Sequence, residues 1–217
     1  MEEGEDPPAA ASPSRRVHIV DDDPMVRTAV ARLLRLHGFD VVTHDSAQAF
    51  LDAYAHDERG CALVDVAMPG MDGLALQSHF APQEGPPFVF LSGLADVQAC
   101  ATAMRQGAVD FLKKPVDEAV LVGALETALA RDAQARARRE GQRDVERRLG
   151  TLTEREREIL EHVLEGRLNK QIAADLGIAE KTVKVHRARA MEKMGARSVA
   201  AIVRMMERHL GDAAGGK

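Results

Sequence analysis

The sequence predicts a two-part molecule: an α/β unit on a doubly wound, five-stranded parallel sheet, followed by a smaller all-α unit. Three observations predict it. Over the first half of the chain, short β-branched runs alternate with apolar stripes at helical spacing, as the strands and helices of a parallel sheet do. From residue 151 onward the stripes are all helical. The charge divides along the same line, with a formal net −9 over 1–117, +1 over 118–150 and +3 over 151–217.

The elements follow in order. Residues 17–22 are a β-branched run ending in acids, a strand that stops at a polar edge. Pro24 suits the first turn of a helix, and Val26, Ala29, Val30, Leu33 and Leu34 give it one apolar stripe before Gly38. Residues 39–43 are a second strand, and Ser46 caps a helix bearing Phe50, Leu51 and Tyr54. Residues 61–64 are a third strand ending at Asp65, and residues 88–91 a fourth ending at Ser92. Val97, Cys100, Ala101 and Met104 mark a helix that stops near Gly107. Residues 109–113 are the fifth strand, ended by Lys114-Pro115. Asp117 caps a helix striped with Leu121, Ala124, Leu125, Ala128 and Leu129. Beyond it, residues 131–150 read as an exposed helical linker, rich in Ala, Arg, Glu and Gln.

Composition narrows the function. Two cysteines, Cys61 and Cys100, make neither a disulfide framework nor a thiolate zinc site. No apolar run reaches the ~18 residues a membrane span needs. The acidic stretch 1–15, rich in Pro, Ala and Ser, reads as a disordered tail rather than an export signal, so a cytoplasmic protein is expected. With no Trp and one Tyr, an aromatic-lined ligand pocket is disfavoured.

In open parallel sheets, ligands bind beyond the carboxyl ends of the strands. Those ends carry Asp21 and Asp22, Asp65, Ser92 and Lys114. With strand order 2-1-3-4-5 they form one site. Carboxylates held close together favour a bound divalent cation, and Mg²⁺ takes one or two of them with waters and a phosphate oxygen. A carboxylate beside it can attack phosphorus, with a lysine ammonium and a hydroxyl neutralising the transferring group. Singly, each of these residues is more often a polar turn, a cap or a strand exit; in this order at four strand ends, coincidence is a poor account.

These residues sit in Ile-Val-Asp-Asp-Asp (19–23), Leu-Val-Asp-Val-Ala-Met-Pro-Gly-Met-Asp-Gly (63–73), Phe-Leu-Ser-Gly (90–93) and Gly-Ala-Val-Asp-Phe-Leu-Lys-Lys-Pro (107–115). Residues 16–130 thereby resemble the flavodoxin-like receiver domain of bacterial two-component response regulators. The resemblance implies Asp65 as phosphoacceptor and Lys114 and Ser92 as its catalytic partners. It implies Ser92 and Phe111 as the switch pair, and Mg²⁺ held by Asp21, Asp22, Asp65 and the backbone carbonyl of Ala67. It also implies a cis Lys114–Pro115 bond. Ala67 departs from the larger polar or basic residue common there, which bears on water access to an acyl phosphate rather than on metal binding.

In the second unit, Thr153-Glu154-Arg155-Glu156 is a capping-box pattern before a helix with Ile159, Leu160, Val163 and Leu164 inward. Asn169 is expected to cap a short helix bearing Ile172, Ala173 and Leu176. Gly177-Ile178 turns into a longer helix over 180–194, with Val183, Arg187, Ala190 and Met194 on one face. Ser198 opens a last helix with Val199, Ile202, Val203 and Met206. This is a four-helix unit with a helix-turn-helix. Lys181, Lys184, Val185 and Ala188 share the outer face of the third helix, a basic face with short side chains that suits a major groove. Charge alone would make it an ordinary solvated face.

The segments Leu-Thr-Glu-Arg-Glu-Arg-Glu-Ile-Leu (152–160), Glu-Gly-Arg-Leu-Asn-Lys-Gln-Ile-Ala (165–173) and Lys-Thr-Val-Lys-Val-His-Arg (181–187) resemble the LuxR-type DNA-binding domain, over 151–210. The resemblance implies base-facing positions at Lys184, Val185 and Ala188, and phosphate contacts from Lys170, Lys181, Thr182 and Arg187. His186 reads as a packed histidine. Ala179 stands at the usual Ser cap, a loss of about 1 kcal/mol. Residues 211–217 read as a second disordered tail.

The whole layout resembles FixJ/NarL-type response regulators. The function so implied is a transcription factor rather than an enzyme, promoting only its own phosphoryl transfer and dephosphorylation. A sensor histidine kinase would phosphorylate Asp65 with Mg²⁺. The chain would then dimerise, or release its helix-turn-helix domain, and bind promoter DNA, with RNA polymerase as a further partner. Two alternatives stand beside it. An orphan regulator would bind DNA without phosphorylation, against which the intact acid pair, Ser92 and Lys114 argue. A haloacid-dehalogenase-type phosphohydrolase would carry its nucleophile on the first strand rather than at Asp65.

Overall fold

Five short apolar runs, most of them rich in β-branched or aromatic residues, become five strands. A computed structural model describes residues 14–55, 58–80, 85–93 and 97–214. The strands are β1 (Arg16–Val20), β2 (Asp40–His44), β3 (Cys61–Asp65), β4 (Phe88–Ser92) and β5 (Asp110–Lys113). All pair in parallel, in the expected order β2-β1-β3-β4-β5. β3 and β4 are buried along their whole length, as central strands covered on both faces must be.

Alternation along the strands sorts the core into two layers. Val17, Ile19, Cys61, Leu63, Val89 and Leu91 face α1 (Pro24–Leu36) and α5 (Glu118–Gly150), meeting Ala31, Leu34, Leu121, Leu125 and Ala128. Val20, Ala62, Val64, Phe88 and Phe90 face the other way, with Phe50 of α2 (Ala47–Ala53), Leu76 of α3 (Gly73–His79) and Ala103 of α4 (Val97–Arg105). The helix starts are held as polar caps require. The Asp23 carboxylate accepts the Met25 N–H at 2.8 Å, Ser46 Oγ accepts the Ala49 N–H at 3.2 Å, and Asp117 accepts the N–H groups of Ala119 and Val120.

One helix has no counterpart in the periodicity. α3 spans seven residues and opens on a glycine, the weakest helix former after proline. It forms because Asp72 Oδ1 accepts the Ala75 N–H at 2.7 Å and because Leu76 and Gln77 are buried against the sheet.

The chain divides into two compact units, Met1–Arg136 and Ala137–Lys217, and the division falls inside α5. The stretch expected as an exposed linker, 131–150, is helical but carries buried positions. Asp132 is buried in the first unit, where it accepts the Gly60 N–H at 3.1 Å and Arg136 Nε at 3.0 Å. Val145 is buried in the second unit and, with Leu149, joins a core of Leu152, Leu160, Ala190, Met194 and Ile202.

The second unit contains α6 (Glu154–Leu164), α7 (Asn169–Asp175), α8 (Glu180–Lys193) and α9 (Val199–Ala214). α9 therefore continues past residue 210, where a tail was expected. The capping box is present: Glu156 accepts the Thr153 N–H at 2.9 Å, and Thr153 Oγ1 accepts the Glu156 N–H at 3.3 Å. Buried Glu156 also takes the Lys193 ammonium at 2.6 Å, which, with the Thr153 N–H, holds its carboxyl below the usual range. Asn169 is not the cap of α7. Leu168 holds that position, its N–H donating to Gln171 Oε1 at 2.8 Å, and Asn169 is the first helical residue. The side chain of Asn169 is spent elsewhere. Gly177, at φ 63°, makes the turn into α8, and Ala179 opens that helix without a side-chain cap. Most of residues 1–15, and 215–217 of the second tail, lie outside the described residues.

Candidate functional site

Parallel pairing brings the strand ends to one edge. Val20 pairs with Val64, Asp65 with Leu91, and Ser92 with Lys113, so the residues that end β1, β3, β4 and β5 are neighbours. Asp21, Asp65 and Ser92 are all buried. Lys114 closes the set. Its Nζ donates to Asp21 Oδ2 at 2.7 Å and also to Asp65 Oδ1. Burial works to lower the Lys114 pKa, but its hydrogen bonds to Asp21 and Asp65 outweigh burial and raise it. The backbone locks the same arrangement, since the Lys114 N–H donates to the Ser92 carbonyl at 2.8 Å. The Lys114–Pro115 bond is cis, as the resemblance implied.

Each carboxylate is oriented by more than the lysine. The Ala67 N–H donates to Asp65 Oδ2 at 2.8 Å, leaving the two oxygens of Asp65 with distinct partners. The Asp23 N–H donates to Asp21 Oδ1 at 2.9 Å, and the Arg27 guanidinium donates to the Asp21 carbonyl at 2.6 Å. Behind Asp65 stands Gly73, buried, where an added Cβ would lie 2.4 Å from the Asp65 carbonyl oxygen. Sequence reasoning gave Asp23, Arg27 and Gly73 no role; only the close packing around Asp21 and Asp65 assigns them one.

The remaining expected residues lie around this centre. Asp22 and Ala67 are exposed. Among the described residues no group of three or more acids, histidines or cysteines is gathered as a metal cluster. The donor set nonetheless suits a hard cation. It is all oxygen, and two of its carboxylates already converge on one positive charge. Phe111 is half-buried on β5, its ring centroid 6.2 Å from that of Phe90.

In the second unit the helix-turn-helix is α7, Gly177 and α8. Val183 and Ala190 face inward, while Lys181, Thr182, Lys184, Val185 and Ala188 are exposed along α8. Lys170 is exposed on α7. Two expected contacts are already engaged. Lys184 Nζ lies 3.2 Å from Glu180 Oε1, and half-buried Arg187 donates to Asn169 Oδ1 at 2.6 Å. His186 is half-buried, consistent with a packed histidine. Among the described residues no helix is long and apolar enough to cross a membrane.

Comparison with known proteins assigns a family to each unit. Residues 17–126 match the response regulator receiver domain, and residues 150–206 match the bacterial regulatory proteins of the luxR family. The chain is 42% identical over 190 residues to the transcriptional regulatory protein FixJ of Azorhizobium caulinodans, covering 87% of this chain and 90% of that one. It is 44% identical over 191 residues to FixJ of Rhizobium meliloti, covering 87% and 93%. Among solved structures, that of the response regulator StyR superposes with a TM-score of 0.82 at 42% identity, covering 89% of this chain and 98% of that one. Two acids held on one lysine at the edge of the sheet, a helix-turn-helix in the second unit and these matches lead to one assignment: the chain belongs to the response regulators of the FixJ type, transcription factors that join a receiver domain to a LuxR-type DNA-binding domain.

Proposed function

We propose that a partner sensor histidine kinase phosphorylates Asp65 and that this controls promoter binding through α8. The observation that carries the reading is Lys114 Nζ shared between the buried carboxylates of Asp21 and Asp65. An Asp65 oxygen attacks the phosphorus of the kinase's phosphohistidine; the P–N bond breaks and the imidazole leaves with its electron pair. Lys114 then turns from the carboxylate to the phosphoryl oxygens, which need its charge more as they crowd the site. The Ala67 N–H, already aimed at Asp65, helps hold the attacking carboxylate. Ser92 donates its hydroxyl to the phosphoryl group, and Phe111 moves inward behind it. Asp21, Asp22, Asp65 and the Ala67 carbonyl would hold Mg²⁺, which supplies charge neutralisation for phosphoryl transfer.

The surface of α4, β5 and the start of α5 then changes its population between two states, and the chain dimerises or frees its DNA-binding unit. Lys184, Val185 and Ala188 face base edges, while Lys170, Lys181, Thr182 and Arg187 meet phosphates. A homodimer would read two half-sites about one helical turn apart, with RNA polymerase engaged downstream in the cytoplasm.

The test is intact-protein mass after incubation with a small phosphodonor and Mg²⁺, beside Asp65→Asn, with the same samples passed over a sizing column. One phosphoryl group on the wild type alone supports the site, and a shift to dimer supports dimerisation over simple release. Equal uptake by Asp65→Asn would overturn the assignment. No uptake from either the donor or a panel of histidine kinases would leave α8 working without phosphorylation.

A further inference from the structure

Arg187 lies on the wrong side of its helix for a surface cation. Val183 and Ala190, four residues before it and three after, are the buried residues of α8. Helical spacing therefore sets Arg187 over the packed face, toward α7. There its Nη1 donates to Asn169 Oδ1 at 2.6 Å. Among the described residues Arg187 makes no ion pair, so its partner is neutral and its positive charge is uncompensated. Arg167, two residues before Asn169, is the contrast: it lies 2.5 Å from Asp175 and 2.9 Å from Glu165, both carboxylates. An arginine tied to two acids is a poor phosphate ligand. One held by an amide keeps its charge and has further N–H donors in a planar fork to offer. Exposed Lys170 adjoins Asn169 in sequence and adds a second cation beside it.

We propose that Asn169 is a positioning residue that presents the Arg187 guanidinium to a DNA backbone phosphate. The proposal rests on the reading of α7 and α8 as the DNA-binding element. It gives Asn169 a role that a cap residue would not have: its amide oxygen fixes the fork without cancelling the charge. The competing account is a brace that only holds α7 to α8.

The two accounts separate on salt dependence. The full-length chain, with phosphodonor and Mg²⁺ present, is titrated with a fluorescent mixed-sequence duplex across a range of salt, since phosphate contacts are blind to sequence. Arg187→Gln keeps an amide to meet Asn169 but loses the charge, and should lower the log K–log salt slope by about 1. Asn169→Ala should weaken binding roughly three- to tenfold, and have no further effect once Arg187 is Gln. Asn169→Asp turns the partner into a counter-charge. It should lower the slope as Arg187→Gln does while the thermal midpoint holds or rises, and should cost nothing more in the Arg187→Gln background. A brace predicts the reverse, with a lower midpoint for Arg187→Gln and Asn169→Ala and an unchanged slope; that result, or additive losses in the double variant, overturns the proposal. Salt-independent binding by wild type and Lys184→Ala alike would overturn the DNA-binding reading itself, and this proposal with it.

Discussion

Lys114 Nζ is shared by two buried carboxylates, lying 2.7 Å from Asp21 Oδ2 and bonded also to Asp65 Oδ1. The lysine is the local compensation for two negative charges at the end of the sheet. Removing it leaves the two carboxylates without the ammonium that both accept from. Lys114→Ala is expected to lower stability at neutral pH by about 2 kcal/mol, read from the urea midpoint. Millimolar Mg²⁺ should restore more of that loss than it adds to the wild type, because a cation then enters a site the lysine no longer neutralises. Phosphoryl uptake should fall at the same time. A variant as stable as wild type, with no response to Mg²⁺, would count against the shared-charge account.

Gly73 is where backbone passes too close for a side chain. A Cβ there would meet the Asp65 carbonyl oxygen at 2.4 Å and Phe90 and Val64 at 3.1 Å. Gly73→Ala forces β3 and α3 apart, and should destabilise by about 1–3 kcal/mol. Asp65 would shift with its carbonyl, so phosphoryl uptake should slow in protein that remains folded. Gly70, with nothing within 4 Å of an added Cβ but φ +78°, is the control: Gly70→Ala costs only backbone strain and leaves uptake near wild type.

A buried imidazole pair makes the first unit sensitive to acid. His18 Nδ1 lies 3.0 Å from His44 Nε2, both rings buried beside Phe50. Burial lowers the His18 pKa, the Glu58 carboxylate opposes this, and His44 and Arg16 add to the lowering, leaving it at about 4. The unfolded chain takes up this proton near pH 6.5. Between those values the unfolded state binds more protons, so stability is full above about pH 6.5 and falls as pH drops toward 4, by roughly 1–3 kcal/mol. Glu156, held low by Lys193, adds a separate loss only below the ordinary carboxylate range. Urea midpoints at pH 7 and pH 5 should differ for wild type and differ much less for His18→Leu.

Glu180 stands at the start of α8 with its carboxylate on Lys184. The pair is exposed, so it is worth little to the fold. Against DNA it matters more, since a carboxylate at that edge repels phosphates and screens Lys184. Glu180→Gln should tighten binding to mixed-sequence DNA several-fold at low salt, with the gain shrinking as salt rises. Lys184→Ala should weaken binding to the specific site by about 1–3 kcal/mol if it reads a base. Unchanged affinity in Glu180→Gln would place that carboxylate away from the duplex.

The sheet and its polar edge were legible because strands declare themselves by short apolar runs, ended here by acids, a serine and a lysine. Asp21, Asp65, Ser92 and Lys114 needed only the strand order to be brought together. Other features depend on partners distant in sequence. α3 has too few turns for periodicity to rise above noise. Asn169 has the composition of a cap, and only its bond to Arg187 shows why Leu168 holds that position instead. The His18–His44 pair exists because β1 and β2 pair with Val20 against His44, setting both rings on one face. Asp132 falls in the stretch read as an exposed linker, and only its bonds to Arg136 and the Gly60 N–H account for its burial.

The division inside α5 decides where this protein can be spliced to another. A fusion seam at residue 150, where the match to the luxR family begins, would strip Val145, Arg148 and Leu149 from the DNA-binding unit. Arg148 is no spacer: its guanidinium donates to the Met194 carbonyl at 2.7 Å, at the C-terminus of α8, with Asp144 holding it 2.8 Å away on the other side. A chimera joined at 150 leaves the C-terminal end of α8 packed against foreign residues. One joined between Arg136 and Ala137 transplants each core whole, and exchange of sensory inputs among such regulators should succeed at that seam and fail at the other.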